Sequence, residues 1–296
     1  MSLDKRIHAF RDDLANEALK SQVSAKRFVK GETAYCGLNP VSLRHEPSHS
    51  ASLDTMLLPL EKLVVFEISD EFSWVQAQDD GYVGYVENNK LYHPRSSSDG
   101  PVALYSHFVA TASTFIYPHA DIKSPPKGAL SFASKIFCKA LESKDFFELL
   151  YPDGSSLGYG YASHFERLNK SQKTIVEYAR QFLNMPYLWG GRVLYGIDCS
   201  ALVQLVFRPF GIYLPRDSDL QFSSFDQTYK KERSDLAAGD LIYWKGHVAL
   251  ATSSSTMIHA SGHHMLVVEE PIDAAIDRIK NEWGAPIGFI QNPIDH

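Results

Sequence analysis

One cysteine and two histidines carry the most legible chemistry in this chain. Cys199 follows the glycine-punctuated run PYLWGGRVLYGID and precedes SALVQLVF, in which Ala201, Leu202, Leu205 and Val206 fall at helical spacing. The spacing predicts that Cys199 opens a buried helix, where orphan N–H groups and the positive end of the helix dipole favour a thiolate over a thiol. Gly190 and Gly191 precede it in a loop whose backbone could approach a substrate closely, and Asp198 and Ser200 flank it with polar groups. A thiol nucleophile also needs a base. HVALA and MIHAS read as strands, with TSSST between them as a turn. With that turn centred near Ser253, His247 and His259 are equidistant from it and face each other across an antiparallel hairpin. One imidazole would accept the thiol proton, and the other would orient the first ring and fix its tautomer. Jointly the three residues read as a cysteine hydrolase. Taken singly, each has a plainer reading, as a buried structural thiol or a structural histidine among the 12 in the chain.

The elements that must position these residues occupy only the last part of a chain of 296 residues, long enough for two or three domains. Hydrophobic content of 44% and charged content of 22% are those of an ordinary globular protein. A net charge of -6 with no basic block argues against nucleic acid and against an anionic membrane surface as partners. The charged start MSLDKRIHAFRDDLANEALK carries no apolar segment of the secretory kind, and no apolar run approaches the ~18 residues of a membrane helix. Cys36, Cys138 and Cys199 are few, odd in number and far apart. They form no disulfide framework and no metal-type pair, so the cytoplasm is the expected compartment.

Residues 1–29 read as a short helix or an extended leader. From 30 to 92 the pattern is strand-like, with Asp79-Asp80-Gly81 as a turn, and predicts a small β-barrel. Residues 102–168 repeat the style, and both segments end in a glycine-aromatic strand, GYVGYV and LGYGYA. HPRSSSDGP at 93–101 reads as the linker between them. From 169 to 296 the texture changes. SQKTIVEYARQFLN predicts a helix with Ser171 as its N-cap and Pro186 beyond its end. The cysteine helix and five strands follow, DLIYW, HVALAT, TMIHAS, MLVVEE and IGFIQ, an α+β layout.

PYLWGGR…GIDCSALVQ, LPRDSDLQ, AAGDLIYWKGHVAL and MIHASG, in that order over about residues 170–290, resemble the motifs of the NlpC/P60 family of papain-like cysteine peptidases. The resemblance implies that Cys199 is the nucleophile, His247 the base and His259 the orienting third member. Ala201 and Ala249 stand where that family usually has glycine, which narrows the site slightly. Two SH3-like barrels ahead of such a domain resemble the subgroup that cleaves γ-D-glutamyl bonds to diamino acids in murein peptides. There the first barrel limits substrates to those with a free N-terminal L-alanine, whose ammonium is held by carboxylates.

By motif, those carboxylates correspond to Asp198 and Asp217, with Ser200 beside them, and to Glu61, while Tyr82 would line the site. Each has a plainer alternative for some of these roles: Asp198 as a helix N-cap, Asp217 as a turn cap, Glu61 as a solvated strand residue. Tyr187 would add a second donor to the oxyanion beside the N–H of Cys199, or would simply pack on Trp189. His263 and His264 read as a solvated loop rather than a metal site. The expected partner is a small murein peptide, with no cofactor, no metal and no obligate protein partner. Rival readings are an amidase or acyltransferase on the same core, and a non-catalytic module that binds wall peptides.

Overall fold

Contacts along the chain gather it into two units, Met1–Val109 with Ser113–Phe165, and Ala110–Ala112 with Glu166–His296. The computed structural model describes residues 3–94 and 105–295, so most of the expected linker at 93–101 lies outside the described residues.

In the first unit the leader is extended rather than α-helical. Its strand Leu14–Asn16 pairs in parallel with Arg27–Val29. Ala9 and Leu14 are buried with Phe66, Trp74 and Val83, so the apolar residues of the leader cover a sheet face and need no helical stripe. Arg11 lies over the Trp74 ring at 4.5 Å and donates to Glu67 at 2.6 Å.

A seven-stranded antiparallel sheet follows, in the order Leu53–Leu57, Val41–Arg44, Val83–Glu87, Phe72–Ala77, Lys62–Ile68, Glu32–Cys36 and Leu91–Tyr92. Residues such as Ala34, Leu43, Leu63, Val75 and Val86 close its core. The Asp79-Asp80-Gly81 turn forms as expected, with Gly81 at φ +79° and Asp80 accepting from the Tyr82 N–H at 3.0 Å. Gly84 in GYVGYV is required by close approach, because a Cβ there would stand 2.2 Å from Leu43 and 2.6 Å from the Arg44 carbonyl. The second β-module has a five-stranded sheet ordered Ser156–Tyr161, Phe146–Leu150, Lys135–Ala140, His107–Val109 and Phe165–Arg167. A separate hairpin joins Ser113–Ile116 to Gly128–Ser131. Its core includes Ile116, Leu130, Ile136 and Leu149.

The second unit is α+β. Its first helix, α1, runs Ile175–Arg180, and Thr174, not Ser171, is the N-cap. Thr174 and Glu177 form a reciprocal capping box, which satisfies two orphan donors at once and outcompetes the serine three residues upstream. Ser171 instead donates to the Lys173 carbonyl and the Tyr178 hydroxyl. Helix α2, Cys199–Phe207, is buried on every side, and α3 covers Ser218–Ser224. The six-stranded sheet is ordered Lys230–Lys231, Gly288–Ile290, Leu241–Trp244, His247–Ala251, Thr256–Ser261 and Leu266–Pro271.

Helix α4, Ile272–Trp283, was not read from the sequence, although Ile272, Ala275, Ile276 and Ile279 stand at helical spacing. It packs those residues on the sheet face formed by Ile242, Trp244, Ala249, Ala251 and Met257. No helix among the described residues is long and apolar enough to cross a membrane.

Candidate active site

The start of α2 is built around Asp198. Its extended backbone makes it the N-cap, and Oδ1 accepts from the Ala201 N–H at 2.9 Å. Oδ2 accepts from the Gly190 N–H at 2.9 Å. Arg216 then donates to both oxygens, at 3.0 and 2.6 Å, and to the Ser200 hydroxyl at 2.8 Å. Arg216 is only 1% exposed and Asp198 7%, so this is a buried bidentate ion pair. Sequence reasoning passed over Arg216, although it stands inside the PRDS motif. The glycine loop serves this construction. Gly190 adopts φ +72°, and a Cβ on Gly191 would stand 2.6 Å from the Gly196 carbonyl. The close approach expected of these glycines is therefore made to the protein's own backbone.

Cys199 sits at the first helical position and is buried. Burial pushes its thiol up to about 12, and the neighbouring Asp198 charge adds to the rise. The Val248 and Ser200 N–H groups and the Arg216 charge oppose it without prevailing. Burial therefore works against the expected thiolate in the resting protein: the Ser200 N–H at the helix start acts in the predicted direction, but desolvation is larger.

His247 opens its strand, with Trp244 opposite. The hairpin register sets Leu250 against Ile258 and Ala251 against Met257, so the turn is centred on Ser254, one residue later than expected. Continued along the strands, this register sets Ala249 against His259, and His247 becomes a diagonal neighbour of His259 on the same face. Diagonal partners lie within reach of aromatic side chains, and His247 Nε2 meets His259 Nδ1 at 2.7 Å.

The line continues. His259 Nε2 is 2.7 Å from Glu270 Oε1, and Glu270 receives Arg278 of α4 at 2.7 and 2.5 Å. Glu270 pairs in register with Met257, on the face of His259. Adjacent Glu269 turns to the opposite face and binds Arg180 at 2.7 Å. The sequence offers two consecutive glutamates, and only register chooses between them.

Electrostatics fixes the protons in this line. Burial would raise Glu270, but the bonds from His259 and Arg278, together with their charges, outweigh it and hold the acid at about 2. Burial lowers His247 well below its ordinary value, helped by His259 and Arg278 against the pull of Glu270. Burial lowers His259 too, although its bond to Glu270 opposes this. Both rings are therefore neutral near pH 7. A carboxylate only accepts, so His259 Nε2–H donates to Glu270. His259 Nδ1 then accepts from His247 Nε2–H, which leaves the free electron pair of His247 on Nδ1. Cys199, His247 and His259 line one cavity of about 460 Å³ together with Tyr187, Trp189 and Arg278. Burial, with the Cys199 and Asp198 charges, raises the Tyr187 hydroxyl, so it remains a donor.

The remaining expected residues each have a local setting of their own. Asp217 is half-buried at the N-cap position of α3, where its side chain makes no cap bond. Glu61 is not a solvated strand residue. It is 3% exposed and closes the Leu58-Pro59-Leu60-Glu61 turn of the first β-module, accepting from the Leu58 N–H at 2.8 Å. Tyr82 is buried in the core of that module. His263 and His264 lie exposed in a turn, as expected; His263 also borders the cavity, and His264 stands 3.9 Å from Glu270. Among the described residues no group of side chains could hold a metal ion.

The profile of the NlpC/P60 family matches residues 184–278, and that of the bacterial dipeptidyl-peptidase SH3 domain matches residues 43–91. Gamma-D-glutamyl-L-lysine dipeptidyl-peptidase of Bacillus cereus is 26% identical over 201 residues, 62% of this chain and 57% of that protein. Dipeptidyl-peptidase 6 of Lysinibacillus sphaericus is 30% identical over 232 residues, 74% of this chain and 84% of that protein. The chain thus spans little more than half of the first relative and most of the second. In fold, the crystal structure of an NlpC/P60 family protein from Bacillus cereus is similar with a TM-score of 0.74 at 19% identity, over 88% of this chain and 99% of that one. The chain belongs to the NlpC/P60 family, the cysteine peptidases that its motifs resemble, and carries a bacterial dipeptidyl-peptidase SH3 domain ahead of its peptidase domain.

Proposed function

We propose that this protein is a cysteine peptidase that hydrolyses the γ-D-glutamyl bond to a diamino acid in short murein peptides with a free N-terminal L-alanine. The observation that carries the reading is the line from Glu270 through His259 to His247, ending in the cavity that holds Cys199. The names of the two relatives support the substrate class.

In this reading the resting pair is thiol and imidazole. As Cys199 Sγ attacks the γ-carbonyl carbon, its proton passes to His247 Nδ1. The carbonyl oxygen becomes an oxyanion, held by the N–H of Cys199 and the Tyr187 hydroxyl. His247 then gives the proton to the leaving amine, the C–N bond breaks, and a thioester remains. Water, deprotonated by the same nitrogen, attacks the thioester and restores the thiol.

Arg216 already balances the charge of Asp198, so we assign Asp198 chiefly to holding the start of α2. Asp217, with Ser200 of the same unit, is the carboxylate this reading assigns to the substrate ammonium; for Glu61 and Tyr82 of the first module a part in substrate binding is what the family resemblance implies. We read the two β-modules as SH3-like barrels, and the activity as recycling of wall peptides in the cytoplasm.

The test is cleavage of L-Ala-γ-D-Glu-L-Lys and of its diaminopimelate counterpart, followed by mass spectrometry beside Cys199→Ala. No cleavage by the reduced wild type would refute the peptidase reading. Equal cleavage of the N-acetylated peptide would refute the ammonium pocket alone.

A further inference from the structure

Glu270 and Arg278 belong to none of the motifs that carry the family resemblance, yet they end the relay in a fork of short bonds. Arg278 grips both carboxylate oxygens, and one of those oxygens also receives His259. We propose that Glu270, clamped by Arg278, is a positioning residue of the peptidase reaction: it fixes the tautomers of both imidazoles and balances the positive charge that arises when Cys199 gives up its proton. This rests on the proposed role of Cys199 and His247.

Each member of the ion pair has a separate task. A carboxylate at the end of the line forces every proton to point toward it, so the electron pair of His247 is left on the nitrogen that is not bonded to His259. A lone carboxylate would also draw a proton onto the histidines at rest, and a protonated base cannot accept the thiol proton. Arg278 prevents this by cancelling most of the charge of Glu270 while leaving its oxygens as acceptors. When the proton does move from Sγ to His247 Nδ1, the imidazolium formed there shares its charge along the line. The Nε2–H groups of His247 and His259 then pull more strongly on Nδ1 of His259 and on Glu270. On transfer to the leaving amine the line returns to its resting state. The other groups around the ion pair are Cys199 at the start of α2, His264 in the turn at 3.9 Å from Glu270, and Glu282, whose charge acts on Arg278 from the same helix. Glu269 is committed to Arg180 on the other face.

The two halves of the pair must therefore move the relay in opposite directions. The acidic limb of kcat/KM reports the base of the free enzyme. Arg278→Gln is expected to move that limb up by about one pH unit, because a cation beside the imidazoles is gone. Glu270→Gln is expected to move it down by about one unit and to lower kcat on the order of 10²-fold with KM little changed. Side-chain NMR of histidine-labelled enzyme reads the same tautomers and titrations without substrate: Nε2–H on both rings in the wild type, and a mixed population in Glu270→Gln. Should Glu270→Gln fail to fold, Arg278→Gln decides alone. Limbs and ring titrations unmoved in the folded variants would overturn the proposal. If no peptide is cleaved but the rings titrate as expected, the substrate reading fails and the positioning role stands.

Discussion

Replacing Arg216 by methionine is the sharpest structural test. The substitution keeps most of the aliphatic volume and removes two bonds to Asp198, at 3.0 and 2.6 Å, and one to Ser200 at 2.8 Å. Asp198 is left charged and buried. Breaking a buried pair from one side costs about 3–5 kcal/mol. The Gly190 and Ala201 N–H groups and the Ser200 hydroxyl still serve the carboxylate, so the lower end, about 3 kcal/mol, is expected.

Removing the charge as well, in Asp198→Asn with Arg216→Met, should recover about 2 kcal/mol, because asparagine still caps the helix. The chemistry should follow. With Arg216 gone, Asp198 acts unopposed on Cys199 and raises its thiol further, so alkylation at neutral pH should slow in the single variant and recover in the double. Hydrogen exchange of the α2 amides reads the local stability without assuming that both units unfold together. A single variant within about 1 kcal/mol of wild type, or a double variant no better than the single, would refute the argument that the pair is interdependent.

Other outcomes follow from the same geometry. With Cys199 pushed up to about 12, iodoacetamide labelling of the resting protein should climb steadily from pH 6 to 9; a plateau in that window would mean a preformed thiolate. Acid should weaken the peptidase unit in two steps. Below pH 6.5 the unfolded chain takes up protons that the lowered His247 and His259 refuse, and below 4.5 it protonates glutamate while folded Glu270 holds out to about 2. Denaturant midpoints should therefore fall between pH 7 and 3, and His247→Gln with His259→Gln should flatten the first step. Thr174→Ala removes half of the capping box on α1 and should cost about 1 kcal/mol in urea unfolding, with Thr174→Ser restoring most of it.

The readable parts of this chain were those set by local chemistry. An aspartate before a helical apolar run must cap it, and Asp198 does. Asp79-Asp80-Gly81 must turn, and a period-two pattern must lie in a sheet, so the five strands of the last region formed where they were expected. That Cys199, His247 and His259 share one cavity was legible for the same reason, since each stands at the start of an element or within a strand of fixed parity. What could not be read depended on a second segment arriving. Centring the hairpin on Ser254 shifted the partner of His259 by two residues, a change that keeps the face and so leaves no trace in hydrophobic parity.

The choice between Glu269 and Glu270, the burial that pushes the Cys199 thiol up, and the neutralisation of Asp198 by Arg216 share one cause. Each is set by the low-dielectric packing of elements distant in sequence, and desolvation and ion pairing outweigh the local propensities by which sequence can be read. The sequence by itself determined which residues could react. The tertiary structure decided where their protons sit.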